Sequence, residues 1–213
     1  MIAAAARKRA GPVSARLALL LAACLLAACA QRAPQLSPIG PDGVVVAFGD
    51  SITHGTGAGE GQSYPSVLEG LIGHKVVSSG VPGEVSAAGL ARLPSVLEEH
   101  RPQILVLCHG GNDLLRNLGR KQAAANIRAM VRMARDAGID VLLVAVPEPG
   151  LRPSPPDFYK EIAAEFGIPF EGEALTDILG DKALKSDLVH PNAQGYARLA
   201  EALAGILRKS GAI

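Results

Sequence analysis

The sequence predicts an α/β fold, a parallel sheet covered by helices on both faces, on three observations. First, runs of strand length such as 44–48 ("VVVAF") and 104–108 ("ILVLC") are apolar at every position. A strand with one wet face would alternate, so these runs need cover on both sides. Second, segments with apolar residues at helical spacing separate the runs, and strand–helix alternation builds parallel crossovers. Third, polar, glycine-bearing segments directly follow several of the apolar runs. Open parallel sheets bind ligands at that edge.

The elements follow in order. Residues 44–48 form the first strand. Residues 64–72 place Val67, Leu68, Leu71 and Ile72 on one helical face. "KVVSSG" at 75–80 is a short second strand. Residues 85–100 read as a helix, with Leu90, Leu93 and Leu97 spaced i, i+3, i+7. Residues 104–108 form a third strand, 121–137 a helix ended by Gly138, and 140–147 ("DVLLVAVP") a fourth strand. A helix over 157–166 precedes a short fifth strand, "IPFE". The last helix runs from about 191 to 209, with an inner stripe of Tyr196, Leu199, Ala200, Leu203, Ile206 and Leu207.

The N-terminus stands apart from this pattern. Four bases (Arg7, Lys8, Arg9, Arg16) and no acid occupy the first 28 residues, so the remainder carries fewer bases than acids. A mildly acidic body without a basic stripe excludes nucleic acid as the expected partner. The apolar run at 17–28, "LALLLAACLLAA", is too short to span a bilayer and suits the core of a signal peptide. It leads into "LAAC" at 26–29, which resembles the lipobox of bacterial lipoproteins and implies cleavage before a lipidated Cys29. "LAAC" also occurs at 21–24, but Cys29 follows the fuller apolar run. The alternatives are an ordinary cleaved leader or an uncleaved anchor. No Asp follows Cys29, which in a Gram-negative source implies sorting to the periplasmic side of the outer membrane. The expected organisation is a leader over 1–28, a lipidated Cys29 with a flexible Pro- and Gly-rich tether to 43, and a catalytic domain over 44–213. Cys108, in an apolar run, reads as a small core hydrophobe rather than a nucleophile.

Four segments hold the chemistry: Gly49-Asp50-Ser51, Gly80-Val81-Pro82-Gly83, His109-Gly110-Gly111-Asn112-Asp113, and Asp187-Leu188-Val189-His190-Pro191. Taken singly, each has a bland reading. Ser51 could cap a helix, Pro191 suits a first helical turn, and Gly83 and Asn112 could be ordinary loop residues. Together they supply a hydroxyl, a flexible backbone N–H, a side-chain amide, and a histidine with a carboxylate three residues before it. Acyl transfer needs those parts: a base to activate serine, a carboxylate to orient the base, and donors for the oxyanion.

In order, "GDSIT", "GVPG", "GGND" and "DLVHP" resemble the four sequence blocks of the SGNH (GDSL-type) hydrolases, over nearly all of 44–213. The spacing is most similar to thioesterase I, arylesterase and lysophospholipase-type members. The resemblance implies a flavodoxin-like three-layer α/β/α sandwich with a five-stranded sheet and no metal or organic cofactor. It implies Ser51 as nucleophile, His190 as general base and Asp187 as its orienting acid. The backbone N–H groups of Ser51 and Gly83 and the Asn112 side chain would form the oxyanion hole. Asp50 and Asp113 would brace the loops. His54, close to Ser51 in sequence, reads as an exposed polar residue rather than the base, the alternative being that it tunes the serine or lines the entrance.

Three departures stand out. Ile52 replaces the usual Leu, Ser78 stands where Asn is common, and the segment 148–156 ("EPGLRPSPP") is short and rich in proline. The glycine-rich run at 55–61 lacks both the Gly-Lys-Ser/Thr and the G-x-G-x-x-G spacing of nucleotide loops. It reads as a flexible rim beside the serine. The expected activity is hydrolysis of aryl or fatty acyl esters, lysophospholipids or thioesters through an acyl-enzyme. The chain would be an extracytoplasmic, lipid-anchored monomer whose partners are the ester substrate and the membrane. A carbohydrate or cell-wall O-acetyl esterase is the alternative among enzymes, and a non-catalytic envelope binding protein the alternative outside them.

Overall fold

β1 (Val44–Gly49), β2 (Lys75–Gly80), β3 (Ile104–Cys108), β4 (Asp140–Val144) and β5 (Phe170–Glu171) pair in parallel throughout, in the order β2-β1-β3-β4-β5. The structure is a computed structural model and describes residues 34–150 and 153–213. The leader and Cys29 lie outside the described residues. Every described strand falls where the apolar runs predict it. β5 keeps only two residues of "IPFE", and β4 stops before Pro147, which has no N–H to give to a ladder.

The helices are α1 (Ser51–His54), α2 (Tyr64–Ile72), α3 (Ser86–His100), α4 (Gly111–Leu115), α5 (Arg120–Asp136), α6 (Phe158–Phe166), α7 (Ala174–Gly180) and α8 (Ala193–Lys209). A 3₁₀ turn covers Lys182–Leu184. The long helices match their sequence periodicity. α1, α4 and α7 have four to seven residues, too few for a periodic signal. α2 packs on α8, while α3 packs on α5, which also touches α6. With right-handed crossovers, these two groups take opposite faces of the sheet.

That sandwich explains the composition of the strands. β3 is buried at every position, as is β1 after Val44. Edge strand β2 is only partly buried and carries Lys75, Ser78 and Ser79. On the inner side of α8, Tyr196, Leu199, Ala200, Leu203 and Leu207 are buried as expected, whereas Ile206 is only partly so. Cys108 is fully buried, and burial together with the facing Asp50 carboxylate pushes its thiol pKa well up, which suits a core residue.

The tether expected as far as residue 43 needs a correction. Leu36 and Ile39 are buried in the core. Their N–H groups donate to the carbonyls of Ser210 and Ala212, just past α8. Ser37 N–H donates to Asp140 Oδ2 and Gly40 N–H to Gln103 Oε1. The segment is therefore a strap along the edge where the strands begin. Two apolar residues set in a Pro- and Gly-rich stretch do not register as a packed element by composition.

The sheet order changes direction between β1 and β3: the chain leaves β1 towards β2, then returns across it to β3. This is the flavodoxin-like order, and the crevice between those two strand ends is its binding point. Gly49 closes β1 there because a Cβ at this position would lie 2.0 Å from the Cys108 carbonyl oxygen and 2.3 Å from Thr53 Oγ1. We expect Gly49→Ala to cost about 2–3 kcal/mol, the scale of core overpacking. Urea unfolding of the two proteins checks this, and an unchanged midpoint would contradict the tight approach.

Candidate active site

β1 ends in a tight turn into α1, and the turn separates two roles that the sequence left open. Asp50, not Ser51, caps α1: its Oδ1 accepts the Ile52 N–H at 3.1 Å. The Ser51 hydroxyl is thereby left for another partner. That partner is His190, whose Nε2 lies 2.9 Å from Ser51 Oγ although 139 positions separate them in the chain.

The loop before α8 holds His190 in one orientation. Asp187 Oδ2 accepts from His190 Nδ1 at 2.7 Å, while its Oδ1 accepts the N–H groups of Val189 and His190 at 2.8 and 2.9 Å. With Nδ1 donating, Nε2 carries the lone pair that accepts the Ser51 proton. Asp187 is half-exposed. Its partial burial raises the carboxyl pKa, but the His190 ring and the two N–H groups more than offset this and hold it below the usual carboxylate range. Asp187 is thus ionised at neutral pH and able to support a charged imidazole.

Opposite Ser51, the loops after β2 and β3 bring Gly83 and Asn112 to the same cavity. Asn112 Nδ2 donates to Glu84 O at 3.0 Å and to Asp50 Oδ2 at 3.2 Å. Burial pushes the Asp50 carboxyl up, and His109, the Ile52 N–H, His190 and Asn112 limit the rise. Asp113 braces the next layer: its two oxygens accept Ser86 N–H and Ser86 Oγ–H, each at 2.7 Å. Both aspartates brace loops as expected, and His54 is exposed. Ser78 donates to Thr53 O, and Arg116 holds Gly83 O at 3.0 Å.

The cavity has a volume of about 490 Å³. Ser51, Gly83, Asn112 and His190 line one side of it. Leu115, Val146, Pro147, Pro149, Leu179 and Leu188 make much of the rest apolar. The proline-rich segment after β4 therefore forms part of the wall, and Thr56 is the member of the glycine-rich run that reaches it. Among the described residues, no three His, Cys, Asp or Glu side chains gather as a metal site, and no helix is long and apolar enough to cross a membrane.

Residues 47–198, which carry all four of these segments, match the GDSL-like Lipase/Acylhydrolase family. The chain belongs to this family. Esterase TesA of Pseudomonas aeruginosa is 30% identical to this GDSL hydrolase over 204 residues, covering 86% of this chain and 94% of that protein. An arylesterase of Vibrio mimicus is 29% identical, covering 78% of this chain and 88% of its own. Thioesterase 1/protease 1/lysophospholipase L1 of Escherichia coli is 28% identical, with 74% and 79% covered. Among solved structures, TesA superposes with a TM-score of 0.69 at 28% identity, over 78% of this chain and 98% of TesA. AlinE4, an SGNH-hydrolase family esterase, superposes with 0.62 at 28% identity, over 81% and 98%.

The GDSL hydrolase also contains a buried cluster absent from the sequence reading. His109 is fully buried and its Nε2 lies 3.1 Å from Glu84 Oε2. Arg92 grips the same carboxylate from the other side, through Nε at 2.9 Å and an Nη at 2.8 Å. One signal could have revealed it: Gly89, inside α3, sits where a Cβ would be 2.3 Å from His109 Nε2. Burial alone raises the Glu84 carboxyl pKa, but the hydrogen bonds from His109 and Arg92, with the Arg92 charge, bring it down from 4.5 to about 2.

The unfolded chain binds this proton more readily, so the Glu84 contribution to stability is complete above about pH 4.5 and lost as pH falls towards about 2. Thermal unfolding should therefore show a steeper loss of midpoint over that interval for the wild type than for Glu84→Gln. Parallel curves would count against the ionised cluster.

Proposed function

We propose that this GDSL hydrolase is a serine esterase working through an acyl-enzyme. His190 Nε2 takes the Ser51 proton as Oγ attacks the acyl carbonyl. Asp187 supports the imidazolium. The backbone N–H groups of Ser51 and Gly83 and the Asn112 amide receive the oxyanion. His190 then gives its proton to the leaving oxygen, and water repeats the sequence in reverse to release the acid. The observation that carries this reading is the continuous Asp187–His190–Ser51 chain, at 2.7 and 2.9 Å, in the wall of the cavity.

The apolar wall supports an aryl or fatty acyl group over acetyl, because burying each CH₂ there gains roughly 0.8 kcal/mol. The names of its relatives (esterase, arylesterase, thioesterase/lysophospholipase) span the same substrate range. Ser51→Ala and His190→Ala should each lower kcat for p-nitrophenyl esters by about 10³-fold or more, with near-normal unfolding curves. A near-wild-type rate in either overturns the triad. Across a chain-length series, kcat/KM should rise beyond acetate; activity confined to acetate would favour an O-acetyl esterase.

The leader and "LAAC" support a second part of the proposal. The chain is exported, lipidated at Cys29 and held at a membrane surface, which in a Gram-negative cell is the periplasmic side of the outer membrane. Outside the cytoplasm acyl-CoA is scarce, so the natural substrate is an oxygen ester. Labelled palmitate should enter the wild type and not Cys29→Ala. A wild type without label refutes the anchor and leaves the esterase reading untouched.

A further inference from the structure

The triad and its oxyanion donors leave one thing unexplained: why an arginine, a glutamate and a histidine lie packed behind the loops that present Gly83 and Asn112. The Glu84 side chain is 7% exposed and that of His109 is fully buried. The Arg92 guanidinium covers the Phe48 ring at 4.2 Å and donates to Ser79 Oγ and Ser79 O at 2.7 and 3.2 Å. A buried ion pair is a poor source of net stability, since an apolar trio of the same volume would often do as well. What such a cluster supplies is position.

The proton positions can be assigned. Gly110 N–H donates to His109 Nδ1 at 2.8 Å, so that nitrogen carries no proton. The ring proton is on Nε2 and is donated to Glu84. Glu84 therefore receives hydrogen bonds from two directions: from Arg92, tied to β2 through Ser79, and from His109 at the end of β3.

The backbone of Glu84 transmits this hold to the site. Its carbonyl accepts one hydrogen of the Asn112 amide; the other goes to Asp50. Both amide hydrogens have acceptors, so an arriving oxyanion must share one of them. Where the Glu84 carbonyl sits decides how well that sharing can be aimed. Gly83 is the preceding residue, in a left-handed conformation at φ 77°, so its N–H lies one residue from the clamped Glu84. One side chain thus bears on two of the three expected donors.

We infer that Glu84, clamped by Arg92 and His109, is a positioning residue that aims the Gly83 and Asn112 donors at the oxyanion. The inference rests on the esterase reading. It assigns the carboxylate a part in the transition state that the four sequence blocks do not suggest.

The test compares turnover of p-nitrophenyl butyrate with binding of an arylboronic acid, which adds to a serine hydroxyl as a tetrahedral anion. Glu84→Gln keeps the volume and loses the charge. It should lower kcat about 10- to 100-fold, somewhat less than deleting a donor outright, with KM within about threefold. Boronate affinity should fall by a similar factor. A purely structural role predicts a lower unfolding temperature, with kcat and boronate affinity per folded molecule within twofold of wild type, and that result overturns the inference. At the other end of the clamp, His109→Gln retains an N–H donor for Glu84 and His109→Leu does not. Gln should keep several-fold more kcat than Leu, and equal values overturn the inference even where Glu84→Gln fails to fold. An inactive wild type would defeat the esterase reading; an active wild type, silenced by Ser51→Ala yet indifferent to these changes, would defeat this inference alone.

Discussion

Three loops that leave three neighbouring parallel strands meet at one side-chain amide. Asn112, after β3, donates to the Asp50 carboxylate after β1 and to the Glu84 carbonyl beyond β2. Parallel strands share ladder hydrogen bonds along their length, and past the ladders only loop contacts hold their ends in register. The Asn112 amide is where that register continues past the sheet. Because Asp50 also caps α1, the same tie fixes the first turn of the helix on which Ser51 lies. His190 arrives separately, on the loop before α8, and meets a serine whose position is already determined.

Burial gives this arrangement its cost and its rigidity. Asp50, Asn112, Asp113 and His109 are all buried, and each has a hydrogen-bond partner. An unpaired member would cost about 1–3 kcal/mol, so the network tolerates few alternative arrangements. Charges that must stay paired and loops that cannot drift are two descriptions of one constraint. Preorganised donors stabilise a developing charge without having to reorient when it forms.

Much of this was legible in the sequence, for identifiable reasons. β1, β3 and β4 are apolar because helices cover both faces, so length and composition were enough to place them. Ser51, Asp187 and His190 stand in short contiguous blocks, and the order of those blocks makes the resemblance specific. Glu84 and Arg92 have no such block, and His109 heads one without a role that the block assigns to it. Their contacts cross from α3 to the end of β3, and only the packing of that helix over the sheet joins them. The strap failed for a different reason: proline and glycine permit a linker, but two buried side chains and four backbone hydrogen bonds are enough to dock one. α1 and α4 were missed because a single turn after a strand leaves no periodicity to read.

The strap also has a mechanical meaning. Its bonds to Ser210 and Ala212 lie where the strands begin, while Ser51 lies where β1 ends. Tension drawn through the N-terminal side of the chain would load these seam bonds first. Beyond them it would meet the β1 ladders, flanked on both sides by β2 and β3. The catalytic loops stand at the far end of that load path. The seam and the sheet therefore lie between a pull at one pole and the reacting geometry at the other.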